Sequence, residues 1–244
     1  MFTALLDRIA DGLPSQCLIC RAWPARPLCA DCVGRFTPRV PRCATCALPV
    51  PEGVARCGAC LRDPPPWDAC HAAVDYGWPW TVCMARFKFH GQPQLARALA
   101  ALLTREATVT AAIAQTDCVL PIPMTPRRLA ERGYNPAWLL ARQLTAQSST
   151  MPPAPRKAHA DVLLRTREAA PQRELGRSQR IRNLRGAFMA QPTHGARIRE
   201  RRVVLVDDVM TTGATLREAA RALRQAGAAH ITAIVFARTP EPGA

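Results

Sequence analysis

The stretch VVLVDDVMTTGAT, Val203 to Thr215, decides how this chain is read. Four apolar residues run into Asp207 and Asp208. A strand buried on both faces shows a continuous apolar run rather than an alternation, so this is a buried strand that ends in charge. The residues after it, TLREAARALRQAG, carry Leu216, Ala220 and Leu223 at helical spacing and close on Gly227, the residue type that ends helices. The unit is strand, acidic and hydroxyl-rich loop, helix. In open α/β sheets that loop is where ligands bind.

Outward from it, the same alternation recurs. ACHAAVDYGWPW reads as a strand and turn, QPQLARALAALLTREA as a helix, and DCVLPIP as a short strand ending in proline. MTPRRLAERGYN reads as a basic loop, followed by a helix from about Pro136 to Thr145. ADVLLRTR and HITAIVFAR are further strands. Strands alternating with helices imply a mostly parallel sheet with both faces covered. The triple proline of RDPPPWDA, Arg62 to Ala69, reads as a stiff boundary between residues 1–65 and 66–244, each with its own core.

The 244 residues include no apolar run of the ~20 residues that a membrane span needs. The N-terminal MFTALLDRIADGL gathers Phe2, Leu5, Leu6, Ile9 and Leu13, but Asp7 and Asp11 break it. That is unlike a secretory signal and points to a docking helix and a cytoplasmic protein. The net charge of +15 is uneven: residues 1–75 hold 8 Arg and 7 acids, residues 156–202 hold 13 Arg or Lys and 4 acids. A polyanion partner therefore belongs to the C-terminal part.

Eight of the 11 cysteines form four C-x2-C pairs: Cys17 with Cys20, Cys29 with Cys32, Cys43 with Cys46, and Cys57 with Cys60. Two intervening residues let both thiolates face one ion, and two such pairs complete a tetrahedron. A thioredoxin-like dithiol needs one pair, and a disulfide framework needs an oxidising compartment. Structural zinc is the expectation, with one or two ions and with the pairing of the knuckles left open. Cys70, Cys83 and Cys118 lie outside the pattern and read as small buried residues. The segment has few large apolar residues, so metal binding would supply its folding free energy.

The loop after Asp208 has the parts of a sugar-phosphate site. Amides at a helix start, with threonine hydroxyls beside them, cradle a phosphate. Gly213 permits close backbone approach, and two carboxylates accept hydrogen bonds from vicinal hydroxyls. The G-x-x-x-x-G-K-[ST] loop of ATP-binding chains is absent.

VVLVDDVMTTGAT resembles the phosphoribosyl pyrophosphate (PRPP) signature of type I phosphoribosyltransferases. The order of paired CxxC knuckles, FKFHG, PIPMTPRRLAERGYN, RTREAAPQRELGRSQRIRNLRGAF and that signature is similar to the ComF family of competence proteins over nearly the whole chain. One departure is Pro136 after Asn135, where the family commonly has Gln. The resemblance implies an α/β phosphoribosyltransferase-like parallel sheet flanked by helices, with a small N-terminal zinc-ribbon domain. It implies that Asp207 and Asp208 bind the ribose hydroxyls and that Thr211, Thr212, Gly213, Ala214 and Thr215 hold the 5-phosphate. It places the pyrophosphate loop at Pro121, Ile122 and Pro123, with Arg127, Arg128, Arg132 and Lys88 as charge partners. Arg165, Arg167 and Gln172 fall in the segment that closes over such sites. Magnesium would enter with PRPP.

Two functions then compete. One is PRPP binding in the service of single-stranded DNA handling during natural transformation, with DNA-uptake proteins as partners. The alternative is an active phosphoribosyltransferase of nucleobase or nucleotide salvage. The basic residues 156–202, with Arg177, Arg180, Arg182 and Arg185, and the aromatics Tyr134 and Trp138 are the features that favour DNA.

Overall fold

The computed structural model describes residues 15–147, 157–166 and 186–240. The N-terminal helix expected around Phe2 to Leu13, and Arg167, Gln172, Arg177, Arg180, Arg182 and Arg185, lie outside the described residues. In chain order the elements begin with two short helices in the cysteine region, α1 (Ala30–Phe36) and α2 (Gly58–Arg62). Strand β1 (Ala69–Asp75) is followed by α3 (Trp80–Phe89), α4 (Leu95–Leu103) and α5 (Ala107–Gln115). Then come β2 (Cys118–Pro121), α6 (Pro126–Arg132), α7 (Pro136–Gln147), and the antiparallel pair β3 (Leu163–Arg165) and β4 (Phe188–Ala190). Strand β5 (Arg202–Met210), α8 (Ala214–Gln225) and β6 (His230–Arg238) complete the described elements.

The main sheet has the order β1-β6-β5-β2, and each of its pairs is parallel. Apolar runs make its two inner strands, as a sheet covered on both faces requires. Along β5, Val203 and Leu205 face one core while Val204 and Val206 face the other. Helix α8 covers the first face with Leu216, Ala219, Ala220 and Leu223. Helices α3, α4, α5 and α7 cover the second.

The expectation of two separate cores is corrected here. Cys43, Cys46, Ala47, Leu48 and Cys60 are buried in the same cluster as β5, β6 and α8. The cluster continues through Trp67, whose indole Nε1 donates to the Thr45 carbonyl at 2.6 Å. Cys70 N donates to Ala44 O at 2.9 Å, which fastens the edge strand β1 to the cysteine region. Arg42 adds an ion pair of 2.7 Å to Asp75 at the end of β1. The first cysteine region packs on the opposite face instead: Leu28 is part of that core, with Leu18, Ile19, Val33 and Phe36 against it. The two cysteine regions thus straddle the sheet.

MTPRRLAERGYN is not a loop. It forms α6, capped by the Thr125 hydroxyl accepting from Arg128 N, with Pro126 in the first turn and Gly133 left-handed (φ 81°) at the C-cap. These are the end signals of a helix without an apolar face. Tyr134 and Trp138 are half-buried against the second core rather than offered to solvent. Tyr134 donates its hydroxyl to Phe87 O, and Arg142 lies 5.9 Å over the Trp138 ring. Cys70, Cys83 and Cys118 are buried, as expected.

Candidate sugar-phosphate site and metal centres

The C-terminal end of β2 lies beside the middle of β5, which runs on to Met210: Pro121 pairs with Val206 and Ile122 N donates to Val206 O at 2.8 Å. That register sets the Pro121–Pro123 turn beside Asp207. Asn135 holds the turn from behind: its Nδ2 donates to Ile122 O at 3.0 Å, while its Oδ1 accepts from Ala137 N at 2.9 Å. Asn135 therefore starts α7, and Pro136, which has no N–H to satisfy, fits the first position of that helix. Asn135 lines the cleft and holds its turn, a part that the sequence reading did not assign to it. Its signal was an Asn immediately before a proline at a helix start.

A cleft of about 680 Å³ opens over the turn and this part of β5. From β5 and the start of α8 it receives Asp207, Asp208 and Thr215. Facing them are Ile122 and Pro123 of the turn, Arg128 and Arg132 of α6, and Lys88 of α3. Of the other sites named from sequence, Pro121 ends β2 within the sheet, and Arg127, which does not line the cleft, pairs at 2.9 Å with Glu131, which does. Thr211, Thr212 and Gly213 form the loop next to the cleft and Ala214 opens α8; none of the four lines the cleft. Arg165, from β3, reaches the cleft and stacks over Phe188 at 5.5 Å.

The two acids are neighbours in charge as well as in sequence. Asp208 is buried, its Oδ1 2.7 Å from Lys88 Nζ. Asp207 Oδ1 accepts from Asp208 N at 2.9 Å. Desolvation, and then the Asp208 charge, push the Asp207 carboxyl up to about 7, against the opposing pull of Lys88 and Arg165. Two adjacent carboxyls in the C-terminal half of β5, one of them reluctant to ionise, favour a ligand that brings hydroxyl donors or a cation. Beyond them the loop turns on Gly213 at φ 76°, a left-handed conformation that glycine adopts without strain. The Thr212 hydroxyl accepts from Ala214 N at 3.4 Å, so α8 starts with its amides toward the loop. Phe89 stands 70% exposed at the cleft, with the Arg132 guanidinium 4.9 Å over its ring.

The cysteines resolve into neighbouring pairs. Cys17, Cys20, Cys29 and Cys32 form one tetrad, and Cys43, Cys46, Cys57 and Cys60 the other; in each the sulfurs lie within 4.8 Å of one another. Two of the sulfur contacts, Cys20 to Cys29 and Cys46 to Cys57, are 3.6 Å. Zinc bonds of about 2.3 Å in a tetrahedron separate sulfurs by roughly 3.8 Å, so both tetrads fit zinc. Backbone amides reinforce the fit: Cys29 N points at Cys17 Sγ (3.5 Å) and Cys57 N at Cys43 Sγ (3.3 Å). Against desolvation, which raises it, such amides draw the Cys17 thiol down to about 6 and the Cys43 thiol to about 7. Burial drives Cys46 the other way, up to about 12.

Residues 130–243 match the family described as phosphoribosyl transferase domain. The chain is 31% identical over 234 residues to "DNA utilization protein YhgH" of Salmonella typhi, covering 93% of this chain and 98% of that one. It is 33% identical over 183 residues to the protein of the same name in Escherichia coli (strain K12), covering 73% and 76%. It is also 33% identical over 181 residues to "Competence protein F" of Haemophilus influenzae, again covering 73% and 76%.

Proposed function

Since the chain belongs to the ComF family and carries a phosphoribosyltransferase domain, we propose that its cleft binds PRPP and that the protein serves the handling of single-stranded DNA during natural transformation. The observation that carries the first half is the opposition of charge across one cleft. Asp207 and Asp208 stand where a ribose diol would donate. The start of α8 offers amides and threonine hydroxyls to a 5-phosphate. Arg128 and Arg132 stand with the Pro121–Pro123 turn, where a pyrophosphate carries its charge. Magnesium, when bound with the ligand, supplies further neutralisation of the pyrophosphate; the chain's own part is to fix the sugar and exclude alternatives. Lys88 holds Asp208 until hydroxyls replace it.

The DNA half is supported by the names of the relatives, which speak of competence and DNA utilization, and by the charge of residues 156–202. The exposed Phe89 beside Arg132 offers the stacking surface that Tyr134 and Trp138 do not. Those names lend no support to the salvage alternative. Uptake proteins are the expected partners and the cytoplasm the expected place; among the described residues no helix is long and apolar enough to cross a membrane.

Titration calorimetry of PRPP at fixed magnesium tests the cleft. Changing both Asp207 and Asp208 to Asn keeps shape and removes charge. It should weaken PRPP by about 2 kcal/mol or more, the scale of lost charged hydrogen bonds, while the fold holds. Equal affinities would refute the reading.

A further inference from the structure

Arg238, the last residue of β6, is 7% exposed, and its guanidinium makes no ion pair among the described residues. Its hydrogen bonds go to backbone carbonyls. Nε donates to Cys46 O at 2.9 Å, inside the second cysteine tetrad. Nη1 donates to Met210 O at 3.1 Å, to Thr211 O and to Thr239 O at 2.7 Å. One buried side chain therefore joins the metal knuckle to the first residues of the sugar-phosphate loop.

A second tie runs alongside. Trp67 Nε1 donates to Thr45 O, between the two cysteines of that knuckle, and its ring lies beneath the loop. A Cβ placed on Gly213 would stand 3.5 Å from Trp67 Cη2 and 3.4 Å from Met210 Sδ. The left-handed turn of the loop thus rests on an indole whose polar end is held by the cysteine knuckle. Among the described residues no hydrogen bond of this kind leads from the first tetrad, which packs on the other face of the sheet.

Charge makes the tie directional. A buried guanidinium without a counter-ion is unfavourable. Four thiolates around one zinc carry a net charge of about −2. The loaded second tetrad supplies Arg238 with that counter-charge and freezes the Thr45 and Cys46 carbonyls at fixed positions. We propose that Arg238 and Trp67 are positioning residues that couple occupancy of the second tetrad to the shape of the sugar-phosphate loop. Zinc at Cys43, Cys46, Cys57 and Cys60 and PRPP at the cleft then strengthen each other's binding. This rests on the PRPP reading of the cleft, and reciprocity between the two ligands is required by linkage.

The full chain, loaded with zinc, is treated with a chromophoric chelator in the presence and absence of PRPP at saturating magnesium. A Cys20→Ser protein, which keeps the second tetrad intact, assigns the slower or faster phase to its site. PRPP should slow zinc release from the second tetrad by about fivefold or more, within the usual range of coupling, and leave the first tetrad unchanged. Arg238→Lys keeps the charge and loses the planar fork; Trp67→Phe keeps the ring and loses the N–H. Each should retain its zinc content, bind PRPP more weakly in calorimetry and lose the PRPP-dependent protection. PRPP binding without any effect on zinc release, or both variants with full protection, would overturn the coupling and leave the PRPP site standing. Wild-type protein that binds no PRPP would remove the cleft reading itself, and the coupling with it.

Discussion

At the scale of single residues, the Asp207 carboxyl sets a pH dependence. Its folded value of about 7 lies above the ordinary 3.8 because of burial and the Asp208 charge. The folded chain therefore binds that proton more tightly than the unfolded chain does. The group's contribution to stability is complete below about pH 3.8 and is lost as pH rises through about 7. A diol or a cation needs the carboxylate, so ligand binding runs in the opposite direction. PRPP affinity is expected to rise between pH 6 and 8, approaching tenfold per unit on the acid side of the transition. Asp207→Asn should flatten the profile. Lys88→Met removes a charge that holds Asp207 down, so its profile should shift to higher pH. Calorimetry across that range, at constant magnesium, checks both. A flat wild-type profile would mean that the ligand does not discriminate between the protonated and ionised acid.

Elements show what was legible in the sequence. Strand β5 was legible because Val203 to Val206 are all buried and end in two acids, a combination that neither a helix face nor a surface loop explains. Helix α6 was not, because its Arg127, Arg128 and Arg132 present no apolar face and it has no buried residue. Its evidence lies wholly in its ends: Thr125, Pro126 and Gly133. Helix α3 was opaque for the opposite reason: Val82 and Phe89 are apolar yet exposed, so the buried face of Trp80, Cys83, Met84 and Phe87, although at helical spacing, does not stand out. The acids and the turn of the candidate site were readable from local chemistry, whereas Asn135 and Phe89 join it only through packing between distant segments. The cap of α6 is directly testable. Thr125→Ala removes the side chain that accepts from Arg128 N and should cost about 1 kcal/mol in urea unfolding. PRPP should bind more weakly as well, since Arg128 and Arg132 ride on that helix. Unchanged stability would show that water satisfies the Arg128 N–H equally well.

For the whole molecule, the shared core changes what loss of metal means. Cys43 and Cys46 are buried with Leu205, Val235 and Leu223, so the second tetrad is part of the sheet's own packing. Cys43→Ser with Cys46→Ser should therefore destabilise the entire chain rather than release a detached head. A structural zinc centre is worth about 10 kcal/mol or more, and ~1 kcal/mol shifts the melting point of a chain this size by roughly 2–4 °C. The single melting transition should fall by at least about 20 °C, with PRPP binding lost in step; a body that keeps its melting point would restore the picture of two independent cores. The charge of residues 156–202 acts on the same scale. Affinity for single-stranded DNA should fall with salt at a slope near 0.7 per neutralised phosphate, and replacing Arg177, Arg180, Arg182 and Arg185 should flatten it. A slope that survives the quadruple change would place the contacts elsewhere.

The strand order carries a consequence in time. Among the described residues edge strand β1 pairs only with β6, where Ala69 meets Thr232. A ribosome adding ~5–20 residues per second takes roughly ten to thirty seconds to travel between them. Through that interval the nascent β1 has no sheet to join, and its earliest neighbour is the Cys43–Cys60 region, already synthesised and able to hold it through Ala44 O and Arg42. On the reading that the Cys43–Cys60 tetrad takes zinc, capture of the ion during synthesis would give β1 a folded partner before β6 exists.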